Sequence, residues 1–152
     1  MGQVTVKLAE WGDERVLSPN LRLSDQREII AGTGLSPDDA LSMSVRISDK
    51  CWVGWDDDVP IAIFGCRDSS DECGTSANVW LLGTDRIKDV SWQFLRKSKE
   101  MMDCVSHDFD MLWAVSDSRN KVHQKWYEWL GFTIEQTLLV GPYSLPFIIL
   151  YI

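Results

Sequence analysis

From residue 77 onward the sequence alternates between the apolar spacing of strands and that of amphipathic helices. Asn78 to Leu82 is a short apolar run typical of a buried strand, and Asp89 to Val105 places apolar residues along one helical face. Gly131 follows a second helical pattern and predicts its end. The later elements that we predict are a strand at Met111 to Val115, a helix at Lys121 to Leu130, and strands at Phe132 to Val140 and Phe147 to Ile152.

The first 76 residues predict three more strands and two helices. Ser36 followed by Pro37 indicates a helix start, because a hydroxyl caps the helix and proline fits its first turn. The other elements are a strand at Val4 to Leu8, a helix from Ser24 to Ile30 that stops at Gly32, and strands at Cys51 to Trp55 and Pro60 to Cys66 around an exposed turn at Asp56 to Asp58. This order favours an α/β fold: one mixed central sheet of about seven strands with about four helices, in a single domain of residues 1–152.

The composition limits the functions that such a domain can have. The net charge is −8 at pH 7, and without a surplus of Lys and Arg we expect no nucleic-acid binding. The longest uncharged run, Gln136 to Ile152, is interrupted by prolines and too short to span a bilayer, and no signal-peptide pattern opens the chain. We therefore expect a cytoplasmic protein with no membrane contact. The four cysteines include no pair spaced for zinc, so we predict no metal site and reduced, mostly buried thiols.

The last predicted helix carries a family resemblance. Asn120 to Phe132 reads Asn, two residues, His123 where a small residue is usual, two more residues, Trp126-Tyr127, and finally Gly131-Phe132. This segment, together with the order of elements over essentially the whole chain, resembles the GNAT superfamily of acetyl-CoA-dependent N-acetyltransferases. The resemblance implies a GNAT-like fold, and acetyl-CoA as the cofactor if the chain is an enzyme.

The same resemblance implies roles for two residues of this helix. Tyr127 matches a position where many relatives hold the acid that protonates the departing CoA thiolate, and Asn120 matches a position that often contacts the cofactor. Both residues also have structural interpretations. Tyr127 could fill the seam between helix and sheet, and Asn120 could cap its helix.

Relatives bind the pyrophosphate of the cofactor at a turn of small residues between the fourth strand and the long helix. The matching segment here runs from Leu82 to Trp92, and the cofactor-binding residues that it suggests are Leu82, Gly83, Thr84, Arg86 and Lys88. Ile87 stands where Arg or Gln is usual, and Val90 and Trp92 replace small residues. We therefore predict that side chains fill the phosphate cradle and that acetyl-CoA binds weakly or not at all.

No residue of the sequence matches the general base of the family. Asp68, Asp71 and Glu72 lie in the loop before the third strand of the central group, away from the usual carboxylate position. His123 shares a helix face with Tyr127 and titrates near neutrality in its ordinary range. Because no partner for His123 can be read from the sequence, we predict a packing or surface role for it.

A narrower resemblance comes from Trp80 to Asp85 and from Phe94-Leu95-Arg96 in the helix that follows. These residues resemble small GNAT-like proteins of T7-like bacteriophages, which are associated with virion assembly or with action on host proteins. Two functions therefore stay open. One is a bacteriophage-type interaction protein with a degenerate acyl-CoA site, a virion or host protein as its partner, and the host cytoplasm as its location. The other is an N-acetyltransferase acting on a protein or a small amine; either protein could form homo-oligomers.

Eight tryptophans are more than a core of this size requires, and Trp is enriched at protein interfaces. Four of them lie on elements expected to pack inside: Trp80, Trp113, Trp126 and Trp129. We predict that the other four provide an apolar contact with another protein: Trp11, Trp52, Trp55 and Trp92. The alternative, in which all eight belong to the core, stays open.

Overall fold

The structure is a computed structural model that describes residues 2–152. Within these residues seven strands form one sheet, in the order β1-β2-β3-β4-β5-β7-β6. The strands are β1 (Val4–Leu8), β2 (Lys50–Asp56), β3 (Val59–Asp68), β4 (Ser76–Gly83), β5 (Met111–Asp117), β6 (Thr133–Val140) and β7 (Leu145–Tyr151). The helices are α1 (Asp13–Leu17), α2 (Leu23–Thr33), α3 (Pro37–Ile47), α4 (Ser91–Ser106) and α5 (Lys121–Trp129), with 3₁₀ turns at Ser18–Asn20 and Asp85–Val90. No helix of residues 2–152 has the length and apolar character needed to cross a membrane.

Strands β4 and β5 are the one parallel pair of neighbours in the described sheet, and their pairing is short. The register joins Ser76, Ala77 and Asn78 to Met111, Leu112 and Trp113. Beyond these residues β4 and β5 continue without pairing to each other. We call the opening between residues 79–83 and 114–117 the fork, because it is the place where the sheet can admit side chains or a ligand between two strands.

Each face of the sheet carries its own apolar core, since side chains alternate along a strand. On β2, for example, Trp52 belongs to one core and the next residue, Val53, to the other. Helices α4 and α5 cover the larger core, which includes Trp126, and α1 and α3 cover the smaller core around Leu17. The surface of α4 and α5 therefore lies on the opposite side of the sheet from α1.

All seven predicted strands and all four predicted helices are present, with shifted ends. Helix α1 is an addition, because five residues are too few to show a helical period. Helix α2 passes through Gly32, the predicted stop, and ends before Gly34. Gly34 adopts the left-handed conformation (φ 71°) that glycine accommodates at a helix end, so Gly32 is an interior residue.

The turn between β2 and β3 is more buried than predicted. Asp57 and Asp58 form an exposed tip, but Asp56 is 4% exposed and its Oδ2 accepts a hydrogen bond from Arg86 Nε at 2.8 Å. Arg86 comes from the 3₁₀ turn after β4. The prediction of a fully solvated acidic turn is therefore wrong at Asp56, because a contact between distant segments is invisible in the local pattern.

The cysteines and tryptophans also differ from the prediction. All four cysteines are free, but Cys73 and Cys104 are exposed rather than buried. Trp52, expected on the surface, is a core residue, whereas Trp11 and Trp92 are 87% and 61% exposed. The two most exposed tryptophans therefore lie at separate places, the turn before α1 and the first turn of α4.

Candidate functional site

Carboxylates from α2 enter the fork and bond to both of its strands. Asp25 Oδ2 accepts the backbone N–H of Gly83, at the end of β4, at 2.8 Å. Glu28 Oε1 accepts the backbone N–H of Asp117 at 2.6 Å and the hydroxyl of Ser116 at 3.0 Å, both at the end of β5. Two backbone donors at the ends of the separated strands, those of Gly83 and Asp117, are thus satisfied by side chains of the chain itself.

His123 lies between these two carboxylates, on the first turns of α5. Its Nδ1 is 2.9 Å from Glu28 Oε2, and its Nε2 is 3.1 Å from Asp25 Oδ1. The second contact has ion-pair distance without the alignment of a hydrogen bond, because Nε2 has no acceptor on its N–H axis. His123 is fully buried, so the prediction of a surface role is excluded and the partners that the sequence did not show are Asp25 and Glu28.

The charges of this cluster stabilise one another. Burial alone would lower the pKa of His123, but Glu28 and Asp25 outweigh it and raise that pKa to about 9. Burial alone would raise the pKa of Asp25, but His123 and Arg22 lower it to about 2. Arg22 donates to Asp25 Oδ2 from Nε at 3.2 Å and from Nη2 at 2.9 Å. At neutral pH a protonated His123 and Arg22 therefore face two carboxylates, which is the pairing that buried charges need.

Tyr127, the candidate general acid, is 1% exposed and lies among aromatic rings. Ring centroids of Trp126, Phe132 and His123 are 4.8, 5.3 and 6.2 Å from its own. Burial raises the pKa of Tyr127 above its ordinary range, and the carboxylates of Glu28 and Asp25 add to the rise. A phenol in these surroundings holds its proton more firmly than a free tyrosine, and the contacts match the packing interpretation.

An apolar cavity of about 260 Å³ opens between α4 and α5, beside the fork and on the face of the sheet that these two helices cover. Its floor includes Leu81, from the part of β4 that pairs with β3 but not with β5, and Arg22, the ion-pair partner of Asp25. The remaining lining residues are Ile87, Ser91, Phe94, Leu95, Val122, Lys125, Trp126 and Trp129. Trp129, which was predicted to pack inside, is 42% exposed and stands at the rim of the cavity together with Val122, which is 49% exposed.

Solved structures with the same arrangement of elements are acetyltransferases. An aminoglycoside N(6′)-acetyltransferase from Legionella pneumophila aligns with a TM-score of 0.71 and 13% identity, over 100% of this chain and 92% of that chain. A GCN5-related N-acetyltransferase from Kribbella flavida aligns with a TM-score of 0.71 and 14% identity, over 98% and 96%. A Bacillus subtilis acetyltransferase in complex with CoA aligns with a TM-score of 0.64 and 10% identity, over 99% and 98%. This chain has the GNAT fold.

The sequence identity between this chain and these three proteins is low, at 13%, 14% and 10%. No protein-family model matches it, and no curated protein matches it either. The predicted GNAT-like fold is confirmed by the structural likeness, which at such identities establishes the fold and not the reaction. Whether a chain with this fold binds acetyl-CoA depends on its own residues.

Some of the residues that the resemblance assigned to the cofactor have their polar groups engaged within the chain, whereas the buried hydroxyl of Thr84 has no hydrogen-bond partner within residues 2–152. The amide of Asn120 accepts the N–H of His123 at 3.3 Å, capping α5, and donates to Asp25 Oδ1 at 3.2 Å. Gly83 gives its N–H to Asp25 as well. Four further positions complete the set: Leu82 and Thr84 are buried, Arg86 pairs with Asp56, and Lys88 lies 3.7 Å from Asp85. None of these six residues lines the cavity between α4 and α5.

The expected phosphate cradle differs in detail from the prediction. Val90 and Ile87 point into the larger core, with 3% and 8% exposure, and so do not fill the outer side of the turn. Trp92 alone stands outside, where its ring meets that of Trp129 edge-on at 6.1 Å. The reason is that residues 85–90 form a 3₁₀ turn and α4 begins at Ser91 rather than Asp89, which rotates the preceding side chains inward.

Acetyl-CoA does not fit the residues that the resemblance assigned to it. A cofactor pyrophosphate needs free N–H donors and an excess of positive charge, yet Gly83 and Asn120 are already bonded to Asp25. The turn before α4 also carries Asp85 and Asp89 beside its two cations. Within residues 2–152 no three metal-ligating side chains converge either. The fork is thus a closed polar cluster whose carboxylates are bonded within the chain, and the open space beside it is the apolar cavity.

Asp25 and Glu28 were not predicted from the sequence as residues of the site. Their spacing of three on a helix places them on one face with Arg22, three residues earlier, which is a stripe of charge. Such a stripe is usually solvated, so the sequence pattern alone would have placed it on the surface. Its burial follows from the separation of β4 and β5, which is a feature of the assembled sheet.

Proposed function

We propose that this GNAT-fold chain acts by binding another protein and not by transferring an acetyl group. The observation that carries the proposal is the closed cluster in the fork, in which Asp25 holds both Gly83 and Asn120, two of the residues expected at the cofactor. The partner that the bacteriophage resemblance implies is a virion protein or a host protein, met in the host cytoplasm.

The energetics of the cluster support this proposal. A cofactor that takes the N–H of Gly83 must displace Asp25, which would leave Arg22 and His123 facing one carboxylate fewer. Removing one partner from a buried ion pair typically costs about 3–5 kcal/mol. A loss of that size lowers the affinity for any displacing ligand by about a hundredfold or more.

Aromatic residues on the face of α4 and α5 supply a surface for the partner. Trp92 and Trp129 are both well exposed and meet edge-on, and the ammonium of Lys99 lies 5.9 Å from the centroid of Trp129. Tryptophans that pack together while remaining accessible are frequent anchors of protein interfaces, because they bury a large area with little loss of side-chain entropy. We therefore expect a partner to contact this face.

An acetyl-CoA-dependent N-acetyltransferase is the second candidate, and the cavity between α4 and α5 is the observation that favours it. The cavity reaches Leu81 in the part of β4 that does not pair with β5, and Lys125 lies in the cavity wall. An apolar space with a cation beside it suits an extended, anionic ligand. Acceptor substrates of this candidate would be a protein or a small amine.

A calorimetric titration with acetyl-CoA and with CoA separates the two functions. We expect no saturable heat at micromolar ligand concentrations, because Asp25 already holds the N–H of Gly83 and the amide of Asn120. Saturable binding that CoA competes would contradict the proposal and favour the enzyme. In that case Tyr127→Phe should lower turnover with little change in cofactor affinity if Tyr127 donates the proton, and an unchanged rate would remove it from the reaction.

A further inference from the structure

Among the large hydrophobic side chains of residues 2–152, that of Trp11 is the most exposed, at 87%. It stands at the tip of a short turn before α1, and two hydrogen bonds hold that turn in place. Asp13 Oδ2 accepts the N–H of Glu10 at 2.8 Å, and Glu14 Oε2 accepts the N–H of Gly12 at 3.2 Å. An indole on an ordered turn loses little further entropy when it binds, so Trp11 is preorganised as an anchor.

The surroundings of Trp11 are acidic. Glu10 and the partly exposed Asp13 flank it, whereas Glu14 is only 7% exposed. The nearby cation on this segment is Arg15, whose guanidinium lies 4.9 Å from the centroid of the indole ring. Arg15 covers one face of the ring and leaves the rest of it open. We call residues 10–14 the acidic turn.

The cavity between α4 and α5 has the complementary character. Its walls are apolar and its rim holds Trp129, Val122 and Lys125. Helices α4 and α5 together carry five basic and three acidic side chains, in a chain whose net charge is −8. With Lys99 beside Trp129, this face is a basic and aromatic surface on an otherwise acidic protein.

We propose that Trp11 of one copy inserts into the cavity between α4 and α5 of a second copy, with the acidic turn facing Lys99 and Lys125. A volume of about 260 Å³ accommodates an indole ring. The charges on the two surfaces attract at close range and set the orientation of the encounter. The ring is buried against Leu95 and Trp129, which supplies the apolar contact that an exposed tryptophan lacks in the single chain.

The two surfaces lie on opposite sides of the sheet, so one copy does not fill its own cavity and two copies do not close on each other through a single patch. Contacts of this heterologous type produce rings or open chains of molecules rather than simple two-fold dimers. Self-association of this kind requires no other protein. A test of self-association therefore does not depend on whether the chain binds the virion or host partner proposed above.

Sedimentation velocity across a concentration series tests the proposal on the full chain. We expect the weight-average mass to rise with concentration and to fall when salt is added, since salt screens the attraction between the two surfaces. Trp11→Ala should weaken association about 30-fold or more, the loss typical of a central tryptophan anchor. Leu23→Ala is the matched control, because Leu23 is an apolar side chain of 58% exposure that does not line the cavity and lies outside the acidic turn, and it should associate like the natural chain.

A mixing experiment identifies the head-to-tail geometry. Val122→Arg places a charge at the cavity rim, at a position half exposed in the fold, and should also abolish association. Trp11→Ala retains an intact cavity and Val122→Arg retains an intact Trp11, so an equimolar mixture of the two should form heterodimers and nothing larger. Lys125→Glu serves as a second rim variant if circular dichroism shows that Val122→Arg is unfolded.

Three results would overturn the proposal. The natural chain could stay monomeric up to about 1 mM, which is weaker than any specific contact of this size. Trp11→Ala could associate as well as Leu23→Ala, so that Trp11 is not the anchor. Finally, the mixture of the two single variants could remain monomeric, which would mean that the two surfaces do not meet.

Discussion

Raising the pH should destabilise this protein through one residue, His123. The imidazole is buried between Asp25 and Glu28, which favour its protonated form. Because its pKa is raised in the folded state, its contribution to stability is fully present below pH 6.5, its ordinary pKa. That contribution is lost as the pH rises towards and through about 9, where the folded protein releases the proton.

The size of the effect follows from the pKa. A rise from 6.5 to about 9 corresponds to roughly 3 kcal/mol of unfolding free energy. Most domains of this length are stable by only about 5–15 kcal/mol, so the loss is a large share of the total. We therefore expect the free energy of unfolding to fall by about 3 kcal/mol between pH 6 and pH 10 from this residue alone.

Urea unfolding at a series of pH values, with three proteins, measures this contribution. His123→Gln removes the titrating group and should be less stable than the natural chain by about 3–5 kcal/mol at pH 6, because two buried carboxylates lose a partner. The gap should narrow as the natural chain loses its own proton near pH 9. His107→Gln is the matched control, since His107 is the other histidine and is exposed, and it should keep the full pH dependence.

A parallel loss of stability in His123→Gln and in the natural chain between pH 6 and pH 10 would contradict this prediction. Parallel curves would mean that His123 is neutral in the folded protein. The alkaline loss would then belong to other groups, and the carboxylates of the fork would be balanced by Arg22 without the histidine.

Two further predictions concern packing and thiol reactivity. Gly65→Ala should lower stability by about 1–3 kcal/mol, because the added methyl would lie 2.8 Å from the ring of Trp80; Gly54→Ala, whose methyl would find its nearest neighbour at 3.7 Å, should change the unfolding midpoint little. A thiol reagent at pH 8 should label Cys73 and Cys104 quickly, since both are exposed. It should label the half-buried Cys51 slowly, because burial raises the pKa of that thiol to about 11, and the buried Cys66 only upon unfolding; fast labelling of three or four thiols in the folded chain would contradict the packing around β2 and β3.

Local signals in the sequence predicted elements well where the ends of those elements depend on neighbouring residues. Helix α5 begins after Asn120 and ends before Gly131, as predicted, because the amide caps the first turn and glycine adopts φ 101° at the end. Ser36 caps α3 by accepting the N–H of Asp39 at 3.2 Å for the same kind of reason. These interactions span three or four residues, and a short window of sequence contains all of their information.

The contents of the fork depend on contacts that no short window contains. Asn120 reads as a helix cap, and it is one, but its second bond goes to Asp25, which is 95 residues away in the chain. His123 looks like a surface or packing residue until α2 is placed against the ends of β4 and β5. The charge of a helix stripe does not reveal whether water or a gap between two strands will surround it.

The phosphate turn shows how a small error in a helix end changes a functional prediction. With a helix starting at Asp89, Val90 would stand at the outer side of the turn and obstruct a phosphate. The 3₁₀ turn at Asp85–Val90 delays the start of α4 by two residues and sends Val90 into the core. Weak binding of acetyl-CoA is therefore still the expected result, but its cause moves from bulky side chains at the turn to the bonds that Asp25 makes with Gly83 and Asn120. Those bonds belong to one connected cluster with His123, which loses its charge near pH 9. Two carboxylates then face Arg22 alone, so any affinity for an anionic ligand in the fork should fall as the pH rises.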